Sequence, residues 1–215
     1  MMAGYKLLIF DLDGTLIDSL PYHFLAFKDL LLEHGISISD SLLRKLIGMP
    51  TSDILKNLKA RYRFKEKVQD LREERRYHYF KFLGSRNIVF PAARDALEAL
   101  KPGFRLAVAT GSSKVIFTHS TERGFQDLFD VVVTINDVRK GKPHPGQLLL
   151  AARRARARPA ECLVVGDSIY DAVAARAAGM DFVGVTTGYN TKKELMENGA
   201  IGVISSLSKL GSMLK

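Results

Sequence analysis

The sequence predicts an α/β fold in which a parallel sheet is interrupted by a helical insertion after its first strand. After Pro91, short apolar runs alternate with segments of helical periodicity, a pattern typical of parallel sheets. Before Pro91, a single apolar run at residues 6–10 is followed only by helical periodicity. At 215 residues the chain is long enough to bury a core and to carry such an insertion.

The insertion is predicted as a separate helical domain at residues 18–91, which leaves residues 1–17 and 92–215 for the sheet domain. Its first helix begins at Asp18 or Ser19, where a side chain can cap it, and four apolar residues recur at helical spacing: Leu20, Phe24, Phe27 and Leu31. Gly35 is predicted to end this first helix. Three further helices are predicted: one begins at residue 39 or 40 and ends at Gly48, one begins at 51 or 52, and one begins near 65 and ends at Gly84. The two crossings between the domains, at residues 17–18 and 89–91, are expected to act as hinges.

The rest of the sheet domain alternates between helix and strand. Further strands are predicted at 104–109, 130–134, 162–165, 182–185 and 202–204. Helices are predicted at 93–100, 113–124, 145–157, 169–178, 192–198 and 206–214. Parallel strands joined by helices end at one edge of the sheet, which is where ligands bind in open α/β folds.

Chemically active side chains follow these strands where they end. Asp11 and Asp13 follow the first strand, and Thr110 follows the strand at 104–109. Lys142 precedes a rigid Pro-His-Pro segment, and the strand at 162–165 is followed by two acids one helical turn apart, Asp167 and Asp171. Acids this close repel each other unless a cation joins them, usually a divalent metal. A hydroxyl with free backbone amides at a helix start can hold a phosphate.

These residues belong to four short motifs of this chain: Asp11-x-Asp13-Gly14-Thr15, Thr110-Gly111, Lys142-Pro143 and Gly166-Asp167-x-x-x-Asp171. The motifs resemble the four-motif signature of the haloacid dehalogenase superfamily, in the same order and over nearly the whole chain. The chain is most similar to phosphoglycolate phosphatase and β-phosphoglucomutase relatives, which carry a helical cap between the first and second motifs. The resemblance implies a Rossmann-like three-layer parallel sheet core with an inserted α-helical cap domain. It also implies a magnesium-dependent phosphatase that hydrolyses a small phosphate monoester, phosphoglycolate-like or a sugar phosphate, through an aspartyl-phosphate intermediate.

The same resemblance assigns catalytic roles. Asp11 is expected to attack phosphorus, and Asp13 to protonate the leaving oxygen and then to deprotonate the attacking water. The superfamily's dehalogenases lack an acid at the position of Asp13, because a leaving halide needs no proton. Thr110 and the Gly111 amide are expected to hold the oxygens of the transferring phosphoryl group, and Lys142 to offset negative charge on Asp11 and on that group.

The resemblance also implies a Mg²⁺ site. Its ligands are expected to be the carboxylates of Asp11 and Asp167 with the backbone carbonyl of Asp13. Asp171 is either an outer ligand of the metal or an ion-pair partner of Lys142, and the sequence leaves both readings open.

Two residues of the predicted cap are candidates for substrate binding. His23 lies in a tract similar to one that serves the mutase cycle in β-phosphoglucomutase relatives, but a half-buried structural histidine is an equal alternative. Thr51 stands about where the mutases carry an arginine and the phosphonatases a lysine, and it can do neither job. Hydrolysis is therefore favoured over a β-phosphoglucomutase-like phosphosugar mutase. A non-catalytic phosphate-binding protein is disfavoured because Asp11 and Asp13 are both present.

The chain carries a formal charge of +9, of which +5 falls within residues 18–91. The bases there, including Arg75, Arg76 and Lys81, are first interpreted as a solvated helix face and second as a field that attracts anionic substrates. Nucleic-acid binding ranks third and is not expected. The arginines of residues 153–158 are likewise expected on the outer face of a helix.

Composition adds few further constraints. A single cysteine, Cys162, excludes an internal disulfide. No apolar run is long enough to cross a membrane, and residues 1–5 lack the features of a signal peptide. We therefore expect a cytoplasmic monomer or homodimer that acts on a small-molecule phosphate ester without a membrane or nucleic-acid partner.

Overall fold

Six strands form one parallel sheet in this computed structural model, which describes residues 4–47 and 49–214. The strands are β1 (Leu7–Phe10), β2 (Arg105–Ala109), β3 (Val131–Val133), β4 (Cys162–Gly166), β5 (Asp181–Val185) and β6 (Gly202–Ile204). Their order across the sheet is β3-β2-β1-β4-β5-β6, and each neighbouring pair is parallel. The first strand in the sequence therefore lies near the centre, between β2 and β4.

Four helices make up a second compact unit, Ser19–Arg86. They are α1 (Leu20–Glu33), α2 (Asp40–Leu46), α3 (Thr51–Tyr62) and α4 (Val68–Leu83). Their apolar faces form one cluster that includes the four residues whose spacing predicts α1: Leu20, Phe24, Phe27 and Leu31. Gly48, predicted to end the second helix, lies outside the described residues.

The other compact unit, Met1–Asp18 with Asn87–Lys215, contains the sheet. Its helices are α5 (Pro91–Leu100), α6 (Lys114–Ser120), α7 (Arg123–Gln126), α8 (Gly146–Arg154), α9 (Ile169–Ala178), α10 (Lys192–Glu197) and α11 (Leu210–Leu214). Leu7 and Ile9 of β1 pack in one cluster with apolar residues of α8 and α9. Leu8 and Phe10 point to the opposite face and are also fully buried. Burial of both faces is typical of a parallel sheet, and the predicted fold class is confirmed.

The helical unit is slightly shorter than the predicted insertion at residues 18–91. The two chain crossings pair with each other: Ile17 bridges Val89 in antiparallel fashion, and the Asp18 amide donates to the Ile88 carbonyl at 2.8 Å. The Phe90 amide donates to the Leu16 carbonyl at 3.0 Å. These hydrogen bonds place residues 87–90 in the sheet unit.

Four predicted helices differ from those observed. The helix predicted at 145–157 ends at Arg154, because Arg156 adopts a left-handed conformation (φ 53°); Arg156 and Arg158 therefore lie beyond α8 and not on a helix face. The helix predicted at 206–214 is a 3₁₀ helix, Leu207–Lys209, followed by α11.

The helix predicted at 113–124 is divided into α6 and α7, because Thr121 and Glu122 are extended between them. The Thr121 hydroxyl donates to the Phe117 carbonyl at 2.6 Å at the end of α6. The helix predicted from about residue 65 begins at Val68, because Lys67 is extended and its amide donates to the side chain of Asp70.

Arg75 corrects the prediction of an exposed basic face. It shares the interior stripe of α4 with Leu71, His78, Tyr79 and Leu83, and only 2% of it is exposed. One guanidinium nitrogen lies 2.9 Å from His23 Nδ1, and the guanidinium carbon lies 5.2 Å from the centre of the Phe27 ring. Arg75 lies one helical turn after the buried Leu71 and therefore faces the interior. Of the three bases named above, only Arg76 and Lys81 lie outside this buried face of α4.

No helix among the described residues is both long and apolar enough to span a bilayer.

Candidate active site

Lys142 lies at the centre of a buried cluster at the carboxyl ends of the central strands. Its ammonium group donates to Asp11 Oδ1 at 2.5 Å, to Asp171 Oδ1 at 2.6 Å and to the carbonyl of Ala109 at 3.0 Å. An ammonium has three protons, so each proton has a partner here. Lys142 thus joins the end of β1, the end of β2 and the first turn of α9.

The strands determine where these side chains lie. Asp11 directly follows β1, and Asp167 directly follows β4, its hydrogen-bonded neighbour. Asp171 lies in the first turn of α9, where Ser168 caps the helix and the Ser168 hydroxyl donates to Asp171 Oδ2 at 2.5 Å. Lys142 reaches the cluster from the loop that precedes α8, and the Lys142–Pro143 peptide bond is cis.

The protonation equilibria of the site reflect its burial. Burial raises the pKa of Asp11 to about 7, with a smaller contribution from nearby carboxylates and an opposing one from Lys142. Burial, followed by the charges of Asp11 and Asp171, raises the pKa of Asp167 well above its usual range. Burial alone would lower the pKa of Lys142, but Asp11 and Asp171 outweigh it and raise the pKa.

These residues fit a divalent cation. Carboxylate oxygens of Asp11, Asp167 and Asp171 lie within 4.8 Å of one another, and all three residues are buried. Three carboxylates beside one ammonium leave an excess of negative charge, and, after burial, the charges of Asp11 and Asp171 contribute to the raised pKa of Asp167. Oxygen donors and an excess of negative charge are what hard divalent cations prefer in proteins.

Asp13 lies beside the end of β2. Its Oδ2 accepts hydrogen bonds from the Ser112 hydroxyl at 2.7 Å and from the Thr110 hydroxyl at 3.3 Å. Thr110 Oγ1 in turn accepts from the Ser112 amide at 2.9 Å. The residue between them, Gly111, begins the loop at this end of the strand. The structure therefore brings Asp11, Asp13, Thr110, Gly111, Lys142, Asp167 and Asp171 together in the sheet unit.

Two of the sequence-predicted residues belong to the helical unit. His23 is buried in α1, where its ring stacks on Tyr79 with 4.6 Å between ring centres and Nδ1 lies near Arg75. Thr51 is the first residue of α3 and is half-buried. His23 is thus part of the interior of its own unit.

Some residues that support the site are not evident from motif reasoning. The fully buried Gln147 donates from Nε2 to the Thr110 carbonyl at 2.5 Å and accepts from the Lys142 amide at 3.3 Å. No sequence signal points to it. A Cβ atom on Gly188 would lie 1.8 Å from Asp167 Oδ2, so only glycine fits there. The Ser168-x-x-Asp171 capping box, in contrast, could have been read from the sequence.

A second group with metal-ligand chemistry lies in the helical unit. Asp29 is 3.1 Å from His78 Nδ1, and Glu33 is 3.2 Å from His78 Nε2. The Lys81 ammonium lies 3.0 Å from Asp29. Lys81 pairs with Asp29, and Glu33 hydrogen-bonds to His78 Nε2, so both acids are already engaged by side chains of α4.

Comparisons with known proteins agree with this geometry. The chain is 32% identical over 231 residues to a phosphoglycolate phosphatase of Nitrosospira multiformis, covering 98% of this chain and 96% of that protein. Among solved structures, a hydrolase from Pseudomonas syringae superposes with a TM-score of 0.84 at 30% identity, covering 97% of both chains. A candidate β-phosphoglucomutase of Thermotoga maritima superposes with a TM-score of 0.74 at 28% identity, covering 97% of this chain and 98% of that one.

A family model described as haloacid dehalogenase-like hydrolase matches residues 8–185, a range that includes every residue predicted for the site. The resemblance read from the four motifs and the predicted class, a phosphatase-type hydrolase, are confirmed by these matches. The chain belongs to the haloacid dehalogenase-like hydrolase family.

Proposed function

We propose that this protein is a magnesium-dependent phosphoric monoester hydrolase that forms an aspartyl-phosphate on Asp11. The observation that carries the proposal is the arrangement around Lys142, which holds Asp11 at the end of β1 next to Asp167 and Asp171. Asp13, two residues further on, supplies a second carboxylate for proton transfer.

In the first step, Asp11 attacks phosphorus. Because Asp11 Oδ1 is held by Lys142, we assign the attack to Oδ2. The bond from Oδ2 to phosphorus forms as the ester bond between phosphorus and the leaving oxygen breaks, and that oxygen takes a proton from Asp13. In the second step, Asp13 removes a proton from water as the water oxygen attacks phosphorus. The aspartyl oxygen–phosphorus bond then breaks, which releases inorganic phosphate and restores the Asp11 carboxylate, while Asp13 is again protonated.

The Mg²⁺ ligands in this proposal are the carboxylates of Asp11 and Asp167 with the backbone carbonyl of Asp13. When bound, Mg²⁺ neutralises charge on the nucleophile and on the phosphoryl oxygens. Asp171 has both oxygens engaged, one by Lys142 and the other by Ser168, which favours the ion-pair role over direct ligation. Thr110 and Gly111 are proposed to hold the phosphoryl oxygens.

The substrate is proposed to be a small phosphate ester, phosphoglycolate-like or a sugar phosphate, by analogy with the named relatives. His23 and Thr51 are proposed to contribute to substrate selection from the helical unit, which would act as a cap. Phosphosugar mutase activity is the second candidate, because one structural relative is described as a β-phosphoglucomutase. Thr51 disfavours it, since threonine cannot provide the cation that an anion-binding cap requires.

We further propose that the protein acts in the cytoplasm as a monomer or homodimer, without a nucleic-acid or membrane partner. Its only cysteine, Cys162, is buried in β4, so the fold needs no oxidising compartment. Light scattering coupled to size-exclusion chromatography would measure the oligomeric state.

The intermediate can be trapped directly. Enzyme mixed with a ³²P-labelled monoester and Mg²⁺, then quenched in acid within one turnover, should carry label that hydroxylamine releases. Asp11→Asn should lose the label and lower kcat by roughly 10³-fold or more, as expected for removal of a covalent nucleophile. The amide has nearly the same shape, so the thermal unfolding of the variant should resemble that of the parent.

Asp127→Asn, which changes an exposed carboxylate outside the site, serves as the matched control and should retain both label and activity. Activity within tenfold of the parent in Asp11→Asn, with deamidation excluded, would rule out Asp11 as nucleophile. A parallel assay with β-glucose 1-phosphate and a trace of the bisphosphate separates the two activities, because a mutase forms glucose 6-phosphate faster than inorganic phosphate.

A further inference from the structure

A groove of about 560 Å³ lies on the sheet unit, outside the cluster around Lys142. One wall is the outward stripe of α8, formed by Gly146, Leu149, Leu150 and Arg153. The other is the loop of residues 137–144. The volume falls within the range that small-molecule sites occupy.

The groove has an excess of positive charge. Arg139, Lys140 and Arg153 line it and are exposed, and none of their side chains has an ion-pair or hydrogen-bond partner among residues 4–47 and 49–214. The acid in the lining, Asp137, is already neutralised, because Arg154 donates to it at 2.8 Å and the Thr134 hydroxyl at 2.9 Å. Three cations therefore remain to attract an anion.

The rest of the lining adds an apolar surface and one neutral donor. Val138 and Leu150 pack on the core, and Leu149 is 41% exposed although its side chain is wholly apolar. The Gly146 amide donates to His144 Nδ1 at 3.1 Å. A neutral His144 must then carry its proton on Nε2, which leaves a hydrogen-bond donor available.

From this combination we propose that the groove binds a small soluble organic anion, with an apolar body against Leu149 and a phosphate, sulfonate or carboxylate near Arg139 and Arg153. An apolar wall with a few fixed polar groups is the usual composition of a ligand site. The proposal does not depend on phosphatase activity, because no residue of the Lys142 cluster lines the groove.

The test uses 8-anilinonaphthalene-1-sulfonate, whose sulfonate a phosphatase does not hydrolyse. The chain has no tryptophan, so the fluorescence of the probe is read without an indole signal. We expect saturable binding that weakens as salt rises. The double variant Arg139→Gln/Arg153→Gln should raise Kd roughly tenfold, the change expected for loss of two exposed charge contacts. Leu149→Ala should also weaken binding.

Arg176→Gln removes an exposed arginine of α9 and is the matched control, for which Kd should stay unchanged. Circular dichroism melts establish that each variant is folded. Equal probe affinity in the parent and the double variant would overturn the proposal, because the probe would then bind elsewhere. The parent could also sediment with phosphatidylglycerol vesicles while the double variant does not. That result would overturn the proposal too, because it would assign the groove to a membrane surface.

Discussion

At the scale of single residues, Lys142 is the residue on which the electrostatics of the site depend. All three of its donors are used inside the protein, two of them by carboxylates. This geometry favours orienting and neutralising Asp11 over holding a phosphoryl oxygen. Direct contact with substrate would require Lys142 to give up one of these bonds, and the one to the Ala109 carbonyl involves no opposite charge.

Gln147 should matter for catalysis although it carries no reactive group. Gln147→Met removes its hydrogen bonds to the Thr110 carbonyl and the Lys142 amide, and thus the link between two loops of the site. Leaving a buried backbone group unpaired costs about 1–3 kcal/mol. We expect stability to fall by an amount of that order and kcat to fall by more than KM changes, measured by denaturant unfolding and steady-state kinetics.

Gln126→Met is the matched control, because Gln126 also donates to backbone carbonyls, those of Thr118 and Thr121, away from the site. It should lower stability and leave kcat unchanged. Equal kcat values in Gln147→Met and the parent would show that Gln147 only stabilises the fold.

At the scale of elements, the buried face of α4 separates two neighbouring arginines. Arg75 lies in the interior, whereas Arg76 is partly exposed and 3.9 Å from Glu73. Arg75→Gln should destabilise the protein by about 1–3 kcal/mol, because a buried polar contact is disrupted. Arg76→Gln should change stability by about 0.5 kcal/mol or less, as surface substitutions usually do. Denaturant unfolding checks both, and equal effects would contradict the assigned face of the helix.

The starts of β1 and β4 are joined by an ion pair that depends on pH. Glu161 accepts hydrogen bonds from the side chains of Arg158 at 3.0 Å and Lys6 at 2.7 Å. These bonds, with one from the Arg158 amide, lower the pKa of Glu161 from 4.5 to about 2. Because the folded state favours the ionised carboxylate, the stability it contributes is complete above pH 4.5 and is lost as pH falls towards 2.

Glu161→Gln should therefore lower Tm at pH 7, and the difference from the parent should shrink as pH falls from 4.5 to 2. Thermal melts across this range measure the effect. Glu197→Gln, which removes one exposed pair with Lys193 at 3.8 Å, should give little difference at any pH. A Tm difference for Glu161→Gln that stays constant down to pH 2 would contradict the assignment.

At the scale of the whole molecule, Mg²⁺ binding should be visible as stability. A ligand present at 100 times its Kd stabilises the folded state by about 2.7 kcal/mol, which corresponds to roughly 5–10 °C in Tm for a chain of this size. Whether Asp167→Asn or the parent is the more stable protein should depend on whether Mg²⁺ is present. Burial and neighbouring carboxylates disfavour the ionised Asp167, so the variant should be at least as stable as the parent in chelator and less stable in Mg²⁺.

Melts of both proteins in chelator and in Mg²⁺ provide the measurement, with Asp127→Asn as a control that should follow the parent. A Mg²⁺ shift of equal size in Asp167→Asn would exclude Asp167 as a ligand.

Local pattern was enough to predict the fold class and the residues of the sheet-unit site. Strand and helix periodicities depend on neighbours a few positions away, so β1 and the apolar stripe of α1 are visible in the sequence itself. Asp11, Thr110 and Asp167 could be placed together because parallel strands end at one edge of the sheet. Exact helix ends were less accessible, as the division between α6 and α7 shows.

Only the tertiary structure decided which side chains pair. Lys142 and Asp11 are separated by 131 positions, Thr15 and Asp167 by 152, and Gln147 and Thr110 by 37. Such contacts depend on how strands and loops pack and leave no periodic trace in the chain. The same reason explains Arg75, whose residue type predicts exposure while its position on α4 places it in the interior. The sequence by itself determined which chemical groups reach this edge of the sheet, and packing decided how they share one buried lysine.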